Sequence, residues 1–124
     1  MKYLLDSNIV IAVALAEGVS VRDRLAATDE GDVVTSAVAF AEIVHGSVRG
    51  KPPVLALLEA LIEEIAVLPF DGRAARAYAA IPFKRASYDR LIAAHALSLG
   101  LTLVTDSEQD FDDVPGLTVE NWLA

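Results

Sequence analysis

The sequence predicts an α/β domain in which two layers of helices enclose a central parallel sheet of about five strands. Short apolar runs of three or four residues alternate with longer helical patterns, which is typical of parallel sheets. Hydrophobic residues make up 54% of the chain, which suits a sheet buried on both faces. The length of 124 residues matches one domain with its own core, so we expect a single domain over residues 1–124.

The predicted strands are short and apolar. They are Lys2–Leu5, Val33–Thr35, Ala66–Leu68, Leu101–Val104 and Leu117–Val119. Trp122 is expected to close the edge of the core. In sheets of this kind, ligands bind outside the carboxyl ends of the strands, where the strand order reverses. We therefore look for functional residues directly after the strands.

Six helices are predicted from apolar periodicity and capping residues. They cover Asn8–Glu17, Val21–Ala27, Ala37–Val48, Val54–Ile65, Gly72–Ile81 and Tyr88–Leu99. The predicted N-caps are Ser7, Ser20, Ser36, Asp71 and Ser87, and Gly18 and Gly100 are expected to end the first and last helices.

Three carboxylates stand in apolar surroundings that do not explain them. Asp6 ends the first strand, Glu42 lies inside an apolar helix, and Asp89 opens another. An unpaired charge is costly in a low-dielectric interior. If the first and fourth strands are neighbours, the three acids converge on one edge of the sheet, where a shared divalent cation would remove this cost.

An all-oxygen ligand set favours a hard cation, Mg²⁺ or Mn²⁺. Asp106, which follows the fourth strand, is the expected fourth acid. Asn8 and Thr105 are candidate hydrogen-bond partners of the carboxylates, and Asp110 is expected to orient a neighbouring group or cap a turn.

The net charge of −8 argues against broad electrostatic binding of nucleic acid. A bound cation reverses the local charge, however, so a polyanionic substrate is not excluded. Lys84, Arg85 and Arg90 are candidates for holding its phosphates.

The chain has no cysteine, which excludes disulfides, thiolate zinc sites and a cysteine nucleophile. No apolar run is long enough for a membrane span or a signal peptide, so we expect a cytoplasmic protein without membrane contact. His45 and His95 are expected in the core, and Tyr78 and Phe83 are expected to be packing residues.

Four segments, in order, resemble the motifs of PIN-domain ribonucleases. They are Leu4–Asn8, Val38–Gly46, Asp89–Ala96 and a C-terminal group formed by Leu103–Ser107, Asp110–Phe111, Val114–Leu117 and Asn121–Trp122. The similarity spans almost the whole chain and is closest to VapC-type toxins of toxin–antitoxin pairs.

The resemblance implies a PIN-like fold, Mg²⁺-dependent cleavage of a structured RNA (tRNA or rRNA), a homodimer and a VapB-type antitoxin. It assigns metal binding to Asp6, Glu42 and Asp89. The family often has Asn where Asp106 stands, and Asn or Asp where Ser107 stands. Whether Asp106, Ser107 or Asp110 completes the site is therefore open.

Two other functional classes fit acids at strand ends. One is a metal-dependent phosphatase or phosphoacceptor domain, which would normally have a lysine after a late strand. The other is a binding-only module whose acidic pocket accepts a basic side chain from a partner.

Overall fold

One sheet of five parallel strands organises the computed structural model, which describes residues 1–84 and 87–123. The strands are β1 (Tyr3–Leu5), β2 (Val33–Ser36), β3 (Ala66–Leu68), β4 (Thr102–Val104) and β5 (Val119–Glu120). Their order across the sheet is β3-β2-β1-β4-β5. The predicted parallel α/β architecture is confirmed, although β5 begins two residues later than expected because Val119 and Glu120 pair with the end of β4.

The described residues also form six α-helices. They are α1 (Ser7–Ala14), α2 (Val19–Ala26), α3 (Ala37–Val48), α4 (Leu55–Leu61), α5 (Gly72–Ala77) and α6 (Tyr88–Leu99). Single 3₁₀ turns cover Tyr78–Ala80 and Glu108–Phe111. No helix in the described part of the chain combines the length and apolar character of a membrane span.

Helices cover both faces of the sheet, as the apolar composition requires. Leu4 packs on one face with Ile92 and Ala96 of α6, whereas Leu5 packs on the other with Ile9 of α1. Trp122 is 1% exposed and belongs to the second cluster, as predicted. The alternation of Leu4 and Leu5 across the pleat fixes the register of the central strand.

Three of the predicted N-caps are confirmed and two are wrong. Ser36, Asp71 and Ser87 accept hydrogen bonds from the first turns of their helices. In contrast, the N-cap of α1 is Asp6, because its side chain accepts from the Ser7 amide directly at the end of β1. The N-cap of α2 is Gly18, without a side-chain hydrogen bond, so Ser20 lies inside that helix.

Helices α1, α4 and α5 end three or four residues earlier than predicted. Helix α1 stops before Glu17 because Ala16 adopts a left-handed φ of 54°. The Ala16 amide then donates to the Val13 carbonyl and the Glu17 amide to the Ala12 carbonyl, which is the hydrogen-bond pattern of a Schellman motif. Helix α4 ends at Leu61 rather than Ile65. Helix α5 ends at Ala77 rather than Ile81, and the 3₁₀ turn Tyr78–Ala80 follows it.

Candidate metal centre

The carboxyl ends of β1 and β4 lie side by side at the point where the strand order reverses. Leu5 is in register with Val104, so Asp6 and Thr105 follow adjacent strand ends. The amide of Asp6 donates to the Val104 carbonyl at 2.9 Å, which extends the ladder to the site. The expected adjacency of the first and fourth strands is confirmed.

Asp6 is held rigidly and is 2% exposed. Its Oδ1 accepts from the Ser7 amide at 2.8 Å, and its Oδ2 accepts from the Thr105 hydroxyl at 2.8 Å. Thr105 is itself fully buried and accepts from the Ser107 amide at 3.1 Å. The carboxylate therefore has a fixed orientation before any ligand arrives.

The pKa of Asp6 is raised from 3.8 to about 6. Burial is the largest cause, and the negative charges of Asp89 and Glu42 raise it further. The hydrogen bonds from Thr105 and Ser7 oppose the rise because they favour the ionised form. The three acids are thus close enough for their charges to interact. In the described part of the chain, no cationic group lowers the pKa of Asp6.

Glu42 lies in the second turn of α3, which Ser36 caps through the Val38 amide at 3.0 Å. Its Oε1 is shielded from solvent and receives no hydrogen bond from the described residues. A buried oxygen without a partner costs about 1–3 kcal/mol. A cation bound at this oxygen would remove that cost.

Asp89 occupies the first turn of α6 and is half-buried. Ser87 caps the same turn through the Arg90 amide at 3.4 Å. Asp89 and Glu42 line one cavity of about 500 Å³, so these two carboxylates face the same space although 47 residues of sequence separate them.

Asp106 lies on the rim and is exposed. Its Oδ1 accepts from the side-chain Nδ2 of Asn8 and from the Ser107 hydroxyl, each at 3.1 Å. The structure therefore brings Asn8 and Asp106 together beside the ends of β1 and β4. Asp106 is a less enclosed ligand candidate than Asp6.

We call the region bounded by Asp6, Glu42, Asp89 and Asp106, with Asn8 and Thr105, the notch. Its carboxylate, amide and hydroxyl oxygens fit a hard divalent cation. No three acidic or histidine side chains in residues 1–84 and 87–123 are drawn as tightly together as the ligands of a bound ion. Closure on an ion would need side-chain rotation, or the water bridges that Mg²⁺ commonly keeps. The Glu42 Oε1, which has no partner in the described part of the chain, and the raised pKa of Asp6 both favour such closure.

The candidate phosphate-binding residues have different surroundings. Lys84 is exposed, with its Nζ 3.8 Å from Asp113. Arg85 lies outside the described residues. Arg90 was expected to be available to phosphate, but it is buried. Its guanidinium donates to both carboxylate oxygens of Asp113 at 3.1 Å. Asp110 accepts from Arg90 only through its backbone carbonyl, at 3.5 Å, and its side chain is exposed.

The Arg90–Asp113 pair joins α6 to the segment after β4, so we assign Arg90 a structural role. We expect Arg90→Met to lower the free energy of unfolding and the urea midpoint, because Asp113 loses both charge-assisted hydrogen bonds from the guanidinium. Urea unfolding at neutral pH measures the loss. Unchanged stability together with weakened RNA binding would instead support the phosphate-binding interpretation.

Three residues around the notch were not predicted as part of the site, namely His45, Lys51 and Tyr88. His45 is exposed rather than buried, and it lines a cavity of about 320 Å³ with Asn8, Glu42 and Lys51. Tyr88 lines the cavity of about 500 Å³ next to Asp89. Lys51 and Tyr88 are recognisable in the sequence as a basic and an aromatic residue near the candidate acids. Which way their side chains point depends on how α3 and α6 pack.

His95 is a core residue, as predicted. It is 2% exposed, and its Nδ1 lies 2.8 Å from the Ser36 hydroxyl. Burial lowers its pKa. The pair links α6 to the cap of α3, and so connects the helices that carry Asp89 and Glu42.

Comparison with known proteins agrees with the fold. The family model described as PIN domain matches residues 3–117. The tRNA(fMet)-specific endonuclease VapC of Shigella flexneri is 33% identical over an alignment of 131 positions that covers 98% of each chain. A chain from DNA-bound VapBC of Salmonella typhimurium superposes with a TM-score of 0.87 at 28% identity, covering 98% of each chain. A chain from VapBC-1 of nontypeable Haemophilus influenzae gives 0.83 at 26% identity over the whole of both chains.

The fold and the acidic notch thus define a PIN-domain protein, and the chain belongs to that family. Its full-length similarity to VapC proteins places it in their group, among nucleases that act on phosphodiester bonds. Nucleases of the PIN family generally depend on a divalent metal.

Proposed function

We propose that this chain is the toxin of a type II toxin–antitoxin pair, an endoribonuclease that hydrolyses phosphodiester bonds in a structured RNA with the help of a divalent cation. Asp6, Glu42 and Asp89 are its metal ligands, and Asp106 is the fourth acid at the rim. Asn8 and Thr105 support Asp106 and Asp6 through the hydrogen bonds described above.

The observation that carries this proposal is the electrostatic coupling of three buried or half-buried acids. Asp6 is destabilised in its ionised form by burial and by the charges of Asp89 and Glu42. The Glu42 Oε1 also has no hydrogen-bond partner among the described residues. Buried charges are normally paired with cationic side chains, and no cation in residues 1–84 and 87–123 contributes to the pKa of Asp6, so the arrangement favours a cation from solution.

A divalent cation in this notch would supply positive charge for activating a water molecule and for stabilising the phosphate in the transition state. Thr105 and the Ser7 amide hold the Asp6 carboxylate in a single orientation. Asn8 and Ser107 hold Asp106 toward the rim. The chain thus orients Asp6 and Asp106, and the exposed position of Asp106 leaves the rim accessible to a phosphodiester.

Mg²⁺ is the expected cation and Mn²⁺ a possible substitute, because both prefer oxygen ligands. Lys84 is the described residue best placed to hold a flanking phosphate, since it is exposed and lines a cavity of about 310 Å³ together with Asp89. Arg85 is a further candidate from the sequence.

For the substrate we propose a folded RNA, with tRNA ahead of rRNA. Two relatives, from Shigella flexneri and Salmonella typhimurium, are named tRNA(fMet)-specific endonucleases. Specific recognition of RNA usually targets exposed loops, which a tRNA offers.

For partners we propose a VapB-type antitoxin and a second copy of this chain, acting in the cytoplasm. Solved VapBC complexes with similar chains support the antitoxin. A basic side chain from the antitoxin inserted among the acids would compete with the metal. Exposed apolar residues on α4 and just before it, including Val54, Leu55 and Leu57, are suited to protein contacts.

The test is to incubate the purified chain with total RNA and with purified tRNA, in Mg²⁺ and in excess chelator. We expect discrete cleavage products with Mg²⁺, their loss with chelator, and their return when Mn²⁺ is added back. Cleavage that continues unchanged in chelator would contradict the metal-dependent proposal.

The same preparation separates the two alternatives. A phosphatase would hydrolyse p-nitrophenyl phosphate and leave RNA intact, and a binding-only module would act on neither. Family membership argues against the phosphatase, and the residue after β5 is Asn121 rather than the expected lysine.

A further inference from the structure

We propose that Tyr88 is a stacking platform for one nucleobase of the RNA, at the nucleotide beside the bond that is cut. This inference rests on the proposed nuclease function and adds a residue that selects single-stranded or looped substrate. It follows from the exposure of the ring, the walls of the cavity beside it, and the continuation of that cavity on both sides.

Tyr88 is the first residue of α6 and directly precedes Asp89. Its side chain is 56% exposed, so the core does not account for the ring. Ser87 caps the helix at the preceding position, so the helix start does not depend on Tyr88. A large aromatic side chain at such a position is available to a ligand.

The cavity that Tyr88 lines is divided in chemical character. Tyr88 and Leu91 form apolar wall, whereas Glu42 and Asp89 contribute carboxylates, within about 500 Å³. A nucleotide has the same division, with a flat apolar base and a charged phosphate. A phosphate near the cation-binding acids would bring its own base against the ring of Tyr88.

Neighbouring cavities extend this space in two directions. Glu42 is shared with the cavity that contains Lys51, and Asp89 is shared with the one that contains Lys84. Each extension therefore offers an ammonium group to a phosphate. This arrangement suits a continuous strand that passes the notch more than a single mononucleotide.

Stacking is the expected mode of recognition here because every nucleobase has an aromatic face, and looped RNA presents unstacked bases. Phe83 is a matched control. It is 75% exposed, contrary to the packing role expected from sequence, and it lines none of the three cavities around the acids.

The experiment combines protein variants with changes in the RNA. The probe is the shortest fluorescein-labelled tRNA hairpin that the wild-type chain cleaves. Binding is measured by fluorescence anisotropy in Mg²⁺, with Asp6→Asn added to every protein so that the probe stays intact. In separate probes, each nucleotide next to the cut bond is made abasic.

We expect Tyr88→Leu to weaken binding roughly 5-fold to 150-fold, the range for one base stacked on one aromatic side chain. Tyr88→Phe and Phe83→Leu are expected to stay within about twofold, because stacking needs only the ring and Phe83 does not line these cavities. For one of the abasic probes, binding to the Asp6→Asn protein should already be weak. Adding Tyr88→Leu should not weaken that binding further, because the abasic change and the protein variant remove the same contact.

Fully additive losses from Tyr88→Leu and every abasic change would overturn the proposal, as would an equal loss in Phe83→Leu. Light scattering on the same variants provides a further check. If Tyr88→Leu dissociates an oligomer and leaves RNA binding intact, the ring belongs to a protein interface and the stacking role is wrong. If the wild-type chain cleaves no RNA, the nuclease proposal fails first and this one with it.

Discussion

Replacing Asp6 with asparagine is expected to lower the rate of metal-dependent RNA cleavage by at least about 100-fold, because charge stabilisation by a bound metal contributes several kcal/mol. Asparagine keeps the size of the side chain and can still accept from the Ser7 amide. The loss should therefore come from the missing charge rather than from a missing cap. Initial rates on tRNA in saturating Mg²⁺ measure it.

Asp71→Asn is the matched control for this variant. Asp71 also caps a helix, since its Oδ1 accepts from the Ala74 amide at 3.0 Å, but it is exposed and lies outside the notch. Asparagine is about as good an N-cap as aspartate, so cleavage should stay near the wild-type rate. Wild-type activity in Asp6→Asn would refute the role of Asp6.

The same variant is expected to make the metal-free protein more stable at neutral pH, by up to about 3 kcal/mol at 1.36 kcal/mol per pKa unit. The folded protein raises the pKa of Asp6 from 3.8 to about 6. Between these pH values the folded state holds more protons at Asp6 than the unfolded state does. The stability of the wild-type protein relative to Asp6→Asn should therefore fall as pH rises from about 4 to 6 and then level off.

Urea unfolding of both proteins in chelator, from pH 4 to pH 8, measures this difference. Asp71 and Asp113 have lowered pKa values and act in the opposite direction, but both residues are present in both proteins and their effects cancel. A difference that does not change with pH would mean that Asp6 keeps an ordinary pKa. Stability and activity are thus expected to conflict at this one carboxylate.

The fold was accessible from sequence because its signals are local. Apolar runs of three or four residues between helical patterns predicted the parallel sheet, and Ser36 and Ser87 marked the starts of the helices that carry Glu42 and Asp89. Asp6 stood out because it follows a buried strand. These inferences need only neighbouring residues and the general rule for strand ends.

The features that escaped prediction depend on contacts between distant segments. Arg90 was expected to be free for phosphate, but both of its terminal nitrogens donate to Asp113, 23 residues later. Ser7 was expected to cap α1, but Asp6 fills that position as well as the candidate metal site. The exposure of Tyr88, Phe83 and His45 likewise depends on how helices pack, which the periodicity of one segment does not specify.

The double position of Asp6 explains how the site is kept in place. The residue ends the central strand, begins the first helix and accepts from Thr105 on the adjacent strand end. The carboxylate is therefore attached to the end of the central strand, which is paired on both sides. Glu42 and Asp89 reach the same region from α3 and α6, which His95 and Ser36 connect.

The central claim is that Asp6, Glu42 and Asp89 bind one divalent cation together. Titration of Mn²⁺ into the metal-free protein at pH 7.5, followed by electron paramagnetic resonance of the free ion, tests it most directly. We predict saturable binding by the wild-type chain and by Asp71→Asn, and at least about tenfold weaker binding by Asp6→Asn and by Glu42→Gln. Equal binding by all four proteins, or no binding by the wild-type chain, would contradict the claim.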